Sequence, residues 1–271
     1  MASRAPYADE AFELLPELEE RSAWFRSRNE LVKWALRRYF PNARRLVDVG
    51  CGTGFVLAGI SRGFPQLELT AVDRAPRALE IARSRVPSAR FECADVSSLP
   101  YDAVFDVACA LDVLEHLDDD DAAIAELRRV VVPGGGVVLT APQHPWLWGG
   151  MDEYAQHRRR YRRRELSRKV RKVGLELRRE TSFVSLPLPA LAVTRLRSRW
   201  RADYDLAADL ARSPRLERAL GGVLALERRS IELGVSWPFG GSVLVVATRP
   251  RRRVGDDSRG KADRQGTSWN P

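Results

Sequence analysis

A short apolar run closes on three alternating glycines in Leu46-Val-Asp48-Val-Gly50-Cys51-Gly52-Thr-Gly54-Phe. Few chain paths accommodate that combination. Glycine turns the backbone sharply and lets it approach a ligand with no Cβ in between. An apolar run before the turn and helical periodicity after it describe a buried parallel strand feeding a helix, with a ligand-sized gap at the strand's carboxyl end. A diphosphate-binding loop would use G-x-G-x-x-G, with a helix N-terminus facing the phosphates. Here the spacing is G-x-G-x-G, and Asp48 places negative charge beside the turn. That charge disfavours a diphosphate and favours a cationic ligand.

The rest of the chain repeats the pattern. Strands are expected near 46–50, 67–72, 89–93, 103–109 and 136–141, with helices near 53–62, 76–86 and 119–131. Such alternation implies right-handed βαβ units and an open, mostly parallel sheet. Before it, residues 22–40 carry Leu31, Val32, Ala35 and Leu36 at helical spacing, stopped by Pro41. After residue 141 a loop with His144, Trp146 and Trp148 leads to a basic helix near 162–173 and a strand near 175–183. Residues 185–235 read as a helical insertion, and residues from Gly241 onward as a last strand. The expected organisation is a helical cap over 1–43, a binding domain over 44–184 and 236–250 interrupted by the insertion at 185–235, and a disordered tail over 251–271.

Two more carboxylates follow strands in order. Asp73 closes the second strand about twenty residues past the glycine loop, where an acidic side chain can accept from both hydroxyls of a ribose. Asp95, in Cys93-Ala-Asp95-Val96, follows the third, where it can accept from an exocyclic amine. Any one of the three is explained as an ordinary turn aspartate. Three in sequence describe a pocket.

Composition narrows the setting. The chain has 271 residues with a net charge of +9, and the excess gathers in the C-terminal half, at 158–164, 168–179, 195–201 and 251–253. Three separated cysteines, each in an apolar context, read as reduced core thiols in the cytoplasm, neither a disulfide framework nor a metal site. No metal-binding constellation is read from the sequence. No apolar run reaches about 18 residues, so no spanning helix is expected, and peripheral membrane contact is the most that a lipid-like acceptor would require.

Residues 44–141 resemble the core of the class I, Rossmann-like, S-adenosylmethionine-dependent methyltransferases, in the style of their ubiquinone-biosynthesis-like and small-molecule branches. The carrying motifs are Val47 to Gly54, Ala71-Val-Asp73, Ala94-Asp95-Val96, Leu111-Asp-Val-Leu-Glu-His116 and Leu127 to Gly136. Trp24-Phe-Arg-Ser-Arg28 and the stretch from Asp152 to Tyr161 also look like parts of one subgroup. The resemblance implies an α/β fold with a seven-stranded sheet whose last strand runs antiparallel. It implies S-adenosylmethionine as cofactor, with Gly50, Gly52 and Gly54 against the methionine part, Asp73 on the ribose, and Asp95 with Val96 framing the adenine. Asp48, Cys51, Arg74 and Leu111 complete the expected cofactor side.

The acceptor side is expected to include His144, Trp146, His157 and Tyr161, the last two sharing one face of a helix. His116, at the edge where cofactor and acceptor would meet, is a candidate general base, because histidine titrates near neutral pH, with a positioning role, capping the turn and fixing the loop, as the alternative. The implied reaction is methyl transfer to an oxygen or nitrogen of a small, acidic or lipid-like acceptor. A nucleic-acid methyltransferase is the alternative raised by the charge, although the Asn/Asp-Pro-Pro-aromatic run of exocyclic-amine methylases is missing where this chain reads Ala110-Leu-Asp112. A non-catalytic S-adenosylmethionine-binding regulator is a second alternative. A nicotinamide dehydrogenase fits Asp48 and the loop spacing poorly.

Overall fold

The computed structural model describes residues 9–198 and 213–251. Its centre is a seven-stranded sheet in the order β3-β2-β1-β4-β5-β7-β6. The strands are β1 (Arg45–Val49), β2 (Glu68–Asp73), β3 (Arg90–Cys93), β4 (Phe105–Leu111), β5 (Val131–Pro142), β6 (Glu176–Phe183) and β7 (Ser242–Thr248). Neighbours from β3 to β5 pair in parallel, whereas β7 runs antiparallel between β5 and β6. This is the expected doubly wound sheet with a reversed last strand.

Alternation along the strands decides which layer each residue joins. Leu46, Val107, Cys109, Leu244 and Val246 face one apolar layer, while Val47, Ala108 and Val245 face the other. The first layer is completed by α2 (Ala23–Tyr39), α3 (Phe55–Gly63), α4 (Pro76–Arg85) and α9 (Pro214–Glu232). The second is completed by α5 (Asp120–Val130) and α7 (Glu165–Lys172). Helix α5 starts where expected because Asp119 caps it, accepting from the Ala122 N–H at 2.9 Å. Two further helices stand close to the carboxyl ends of the strands: α1 (Asp9–Arg21) and α8 (Leu188–Ser198), with the single-turn helix α6 (Gly150–Tyr154) after β5.

Several expectations are corrected. Helix α1 precedes the one read at 22–40, even though Pro16 lies inside it. Cys51 and Cys109 are buried but Cys93 is exposed, because β3 is an edge strand. The basic stretch after residue 158 is not helical until Glu165. Within the insertion, α8 and α9 are helical as read, and residues 199–212 lie outside the described residues, as does the tail beyond Arg251. Among the described residues, no helix is long and apolar enough to cross a membrane.

Candidate functional site

A cavity of about 490 Å³ opens at the carboxyl ends of β1, β2 and β4, where the strand order reverses. The glycine loop forms its floor. The N–H groups of Gly50 and Cys51 both donate to the Val72 carbonyl, at 2.7 and 3.1 Å. Asp73 then braces the loop from the next strand: its carboxylate accepts from the Gly52 N–H and from the Ala75 N–H, each at 2.9 Å. Gly52 adopts φ +53°, and a Cβ built there would meet nothing within 4 Å. Its missing side chain is therefore open cavity. Gly50 also lines the cavity, but Gly54 does not. A Cβ on Gly54 would lie 2.9 Å from the Ala82 Cα, so this glycine serves the close approach of α3 to α4 rather than a ligand.

Asp48 is fully buried under the loop, and burial pushes its carboxyl up to about 7, with Arg28 opposing and Asp73 adding to the rise. Burial likewise raises Asp73, against the two N–H donors that hold it, and raises the Cys51 thiol well above its ordinary value, which makes that thiol a poor nucleophile. Asp95 is held low by the Ser97 N–H and hydroxyl, at 2.9 and 2.7 Å. Cys51, Arg74, Asp95, Val96 and Leu111 all line the same cavity.

The raised Asp48 has a thermodynamic consequence. The unfolded chain loses this proton near pH 3.8 and the folded chain near pH 7. Stability is therefore lost as pH rises between those values and stays lower above them. Asp48→Asn removes that pH dependence. Its stability relative to the parent is expected to improve by roughly 2–3 kcal/mol between pH 5 and pH 8. Urea unfolding of both proteins at the two pH values measures it, and parallel pH profiles would show that Asp48 is not strained by burial.

Charged residues that sequence reasoning missed cover one side. Arg28 of α2 forms an ion pair with Asp112, with its guanidinium 4.7 Å from the Trp24 ring centre and 5.3 Å from that of Phe25. Glu19 of α1 accepts from Thr53 Oγ1 at 2.6 Å and from Arg85 at 2.7 Å, fastening that helix to the glycine loop. The motif Trp24 to Arg28 was visible in the sequence. Its partner was not, since Arg28 and Asp112 are 84 residues apart.

On the opposite side, Glu115 and His116 lie in a 3-10 turn after β4 and face His157. His116 is pushed down to about 3, first by burial and then by the nearby His157 and Arg74. It stays neutral at ordinary pH and is a weak base, which corrects the expectation of a near-neutral titration. His157 lines the cavity but shares no helix face with Tyr161. The backbone of this stretch bonds outward instead: Arg158 N–H to the Glu115 carbonyl at 2.7 Å and Tyr161 N–H to the Pro142 carbonyl at 2.9 Å. Tyr161 is consequently buried away from the cavity, its hydroxyl donating to Asp120 at 2.6 Å. His144 and Trp146 also fall outside the lining. They stack on each other at 5.7 Å, and His144 stacks on Phe239 at 5.6 Å.

The remaining wall is apolar. Pro187 and Leu191 at the start of the insertion and Leu216, Leu220 and Leu224 of α9 close over the loop from above. Glu217 ties α9 to α2 by accepting from the Ala23 N–H at 2.6 Å.

Residues 47–139 match the profile of the methyltransferase domain. The chain is 38% identical over 117 residues to a malonyl-[acyl-carrier protein] O-methyltransferase of Halorhodospira halophila, covering 41% of this chain and 40% of that protein. It is 37% identical over 123 residues to a demethylmenaquinone methyltransferase of Deinococcus radiodurans, covering 42% and 51%. The chain thus spans between 40% and 51% of the length of these relatives. In fold it is similar to a putative methyltransferase of Bacillus halodurans, with a TM-score of 0.54 at 17% identity over 81% of this chain and 98% of that one. Residues 47–139 thus form a methyltransferase domain, and the chain is similar in these residues and in fold to the class I, Rossmann-like, S-adenosylmethionine-dependent methyltransferases.

Proposed function

We propose that the chain transfers a methyl group from S-adenosylmethionine to an oxygen atom of a small, largely apolar acceptor, in the cytoplasm. The observation that carries this is one continuous cavity with carboxylates and an open Gly52 at one end and the leucines of α9 at the other. The cradle fits the cofactor: a side chain on Gly52 would fill the space a ligand takes, and three carboxylates stand where a cation and a polyol would be held. In this reading Asp73 accepts from the ribose hydroxyls, Asp95 and Val96 frame the adenine, and Asp48, Gly50, Cys51 and Gly52 surround the methionine part, with Arg74 and Leu111 beside them. Bound S-adenosylmethionine supplies an electrophilic methyl group on a sulfonium.

The chain's own residues orient the acceptor and keep water out. Leu191, Leu220 and Leu224 bury its apolar part, while the helices of residues 1–43 and 185–235 close the binding domain. Oxygen is favoured because the Halorhodospira relative is named as an O-methyltransferase. The cytoplasmic setting is supported by three unpaired thiols. A nucleic-acid acceptor has less support, since many of the basic residues that raised it are engaged internally: Arg159 with Asp120, Arg160 with Asp152, and Lys169 with Asp120 and Asp121.

Calorimetric titration with S-adenosylhomocysteine tests the cofactor half. Asp73→Ala is expected to weaken binding by about 1–3 kcal/mol through lost charge-assisted hydrogen bonds. Unchanged affinity would remove Asp73 from the ribose. Transfer of labelled methyl to hydroxylated apolar acids tests the acceptor half, and intact binding with no transfer to any of them would favour a regulator over an enzyme.

A further inference from the structure

We propose that Glu115, His116 and His157 form a binding site for a divalent transition-metal ion on the acceptor side of the cavity. Two of the three histidines in the chain lie there. One ligand atom from each of the three residues can be chosen so that all lie within 4.8 Å of one another. The two imidazoles stand edge to face with ring centres 4.7 Å apart, and His157 Nε2 is 4.0 Å from Glu115 Oε1.

The supporting shell is already built. His157 Nδ1 meets Asp152 Oδ1 at 2.8 Å, which turns Nε2 toward Glu115. Asp152 is itself fixed by Arg160 Nε at 2.8 Å and by the Gly149 N–H at 2.9 Å. A carboxylate holding the far nitrogen of a histidine is the usual way a metal-binding imidazole is oriented. His116 is fixed by a hydrogen bond with the backbone of Ala155. The turn bearing Glu115 is pinned to the His157 segment through the Arg158 N–H.

Glu115 supplies the independent observation. It is fully buried, it lines the cavity, and neither of its carboxylate oxygens has a hydrogen-bond partner among the described residues. Buried carboxylates are ordinarily hydrogen-bonded, paired or coordinating. The charges around it are mixed: Asp112 lies near it with Arg28 and Arg160, and Arg74 lies near His116. Two imidazole nitrogens and one carboxylate oxygen suit zinc, iron, cobalt or nickel better than magnesium or calcium. Three protein ligands also leave positions open toward the cavity. Metal binding stands without the methyl-transfer reading; its use rests on that reading, where such an ion would hold and acidify an acceptor hydroxyl.

The test uses the full, untagged chain, stripped with a chelator and titrated calorimetrically with zinc chloride. One equivalent is expected to bind, with affinity at least about tenfold lower in Glu115→Gln, His157→Ala and Asp152→Asn. S-adenosylhomocysteine affinity is expected to stay within about twofold of the parent in folded variants, because the nucleoside end of the cavity is untouched. A parallel cobalt(II) titration of the unmutated chain needs no variant, and nitrogen ligation gives visible bands stronger than those of the hydrated ion. Absence of stoichiometric zinc uptake, variants that keep parental affinity, or a cobalt spectrum like the hydrated ion would overturn the site and leave Glu115 as a buried acid with no ligand role. Zinc binding without nucleoside binding would instead sink the methyl-transfer reading alone.

Discussion

Gly52→Leu is expected to lower the affinity for S-adenosylhomocysteine by at least about 100-fold, close to 3 kcal/mol, while the chain stays folded. At this position nothing stands within 4 Å of a new Cβ, so the leucine side chain starts out into the open cavity. The fold suffers only from φ +53° being imposed on a residue with a Cβ, about 1–2 kcal/mol. Binding and stability therefore separate, which a substitution at Gly54 would not achieve, because there the new side chain strikes α4. Calorimetry and urea unfolding on the same preparation measure the two effects. A leucine variant that still binds at parental affinity would place the nucleoside away from this loop.

A second glycine carries the largest expected effect on stability. Gly136 lies within β5, paired with Val107 on one side and Thr248 on the other. A Cβ there would lie 2.1 Å from the Ala247 carbonyl oxygen and 2.9 Å from the Phe40 ring. The first neighbour is backbone of β7 and cannot swing aside. Gly136→Ala should therefore destabilise the chain by about 3 kcal/mol, the upper part of the usual range for overpacking. Gly222→Ala is the comparison: within α9, nothing stands within 4 Å of a new Cβ. An alanine at 136 with a parental unfolding midpoint would contradict the packing of β5 against β7 and α2.

What was legible in the sequence had local causes. The strands β1, β2 and β4 announce themselves as apolar runs closed by glycine or aspartate, and the helices between them by their own period. Asp48, Asp73 and Asp95 were readable because each sits at a fixed offset from a strand end, and strand ends converge on one edge of a parallel sheet. The acceptor side had no such grammar. Tyr161 and His157 are four apart and suggest a helix, yet their backbone bonds to residues 115 and 142, which no window of neighbouring residues contains. His144 and Trp146 sit in the expected loop but turn toward Phe239, nearly a hundred residues later in the chain. The Arg28–Asp112 and Glu19–Arg85 pairs are likewise products of tertiary approach. Burial also defeats chemistry inferred from residue type: His116 is a histidine that does not titrate near neutrality.

The ceiling of the cavity comes from segments lying outside residues 47–139: α1 and α2 precede the sheet, α8 and α9 intervene before its final strand, and the bond from Ala23 to Glu217 stitches the two groups together. Such an arrangement lets descent act on two parts separately. Inheritance can hold the floor constant while exchanging ceilings, so kin that share the same nucleoside grip are free to diverge in what they modify. Chimaeras that graft both ceiling segments from one relative onto another's floor, moved as a stitched pair, offer a practical route to retargeting.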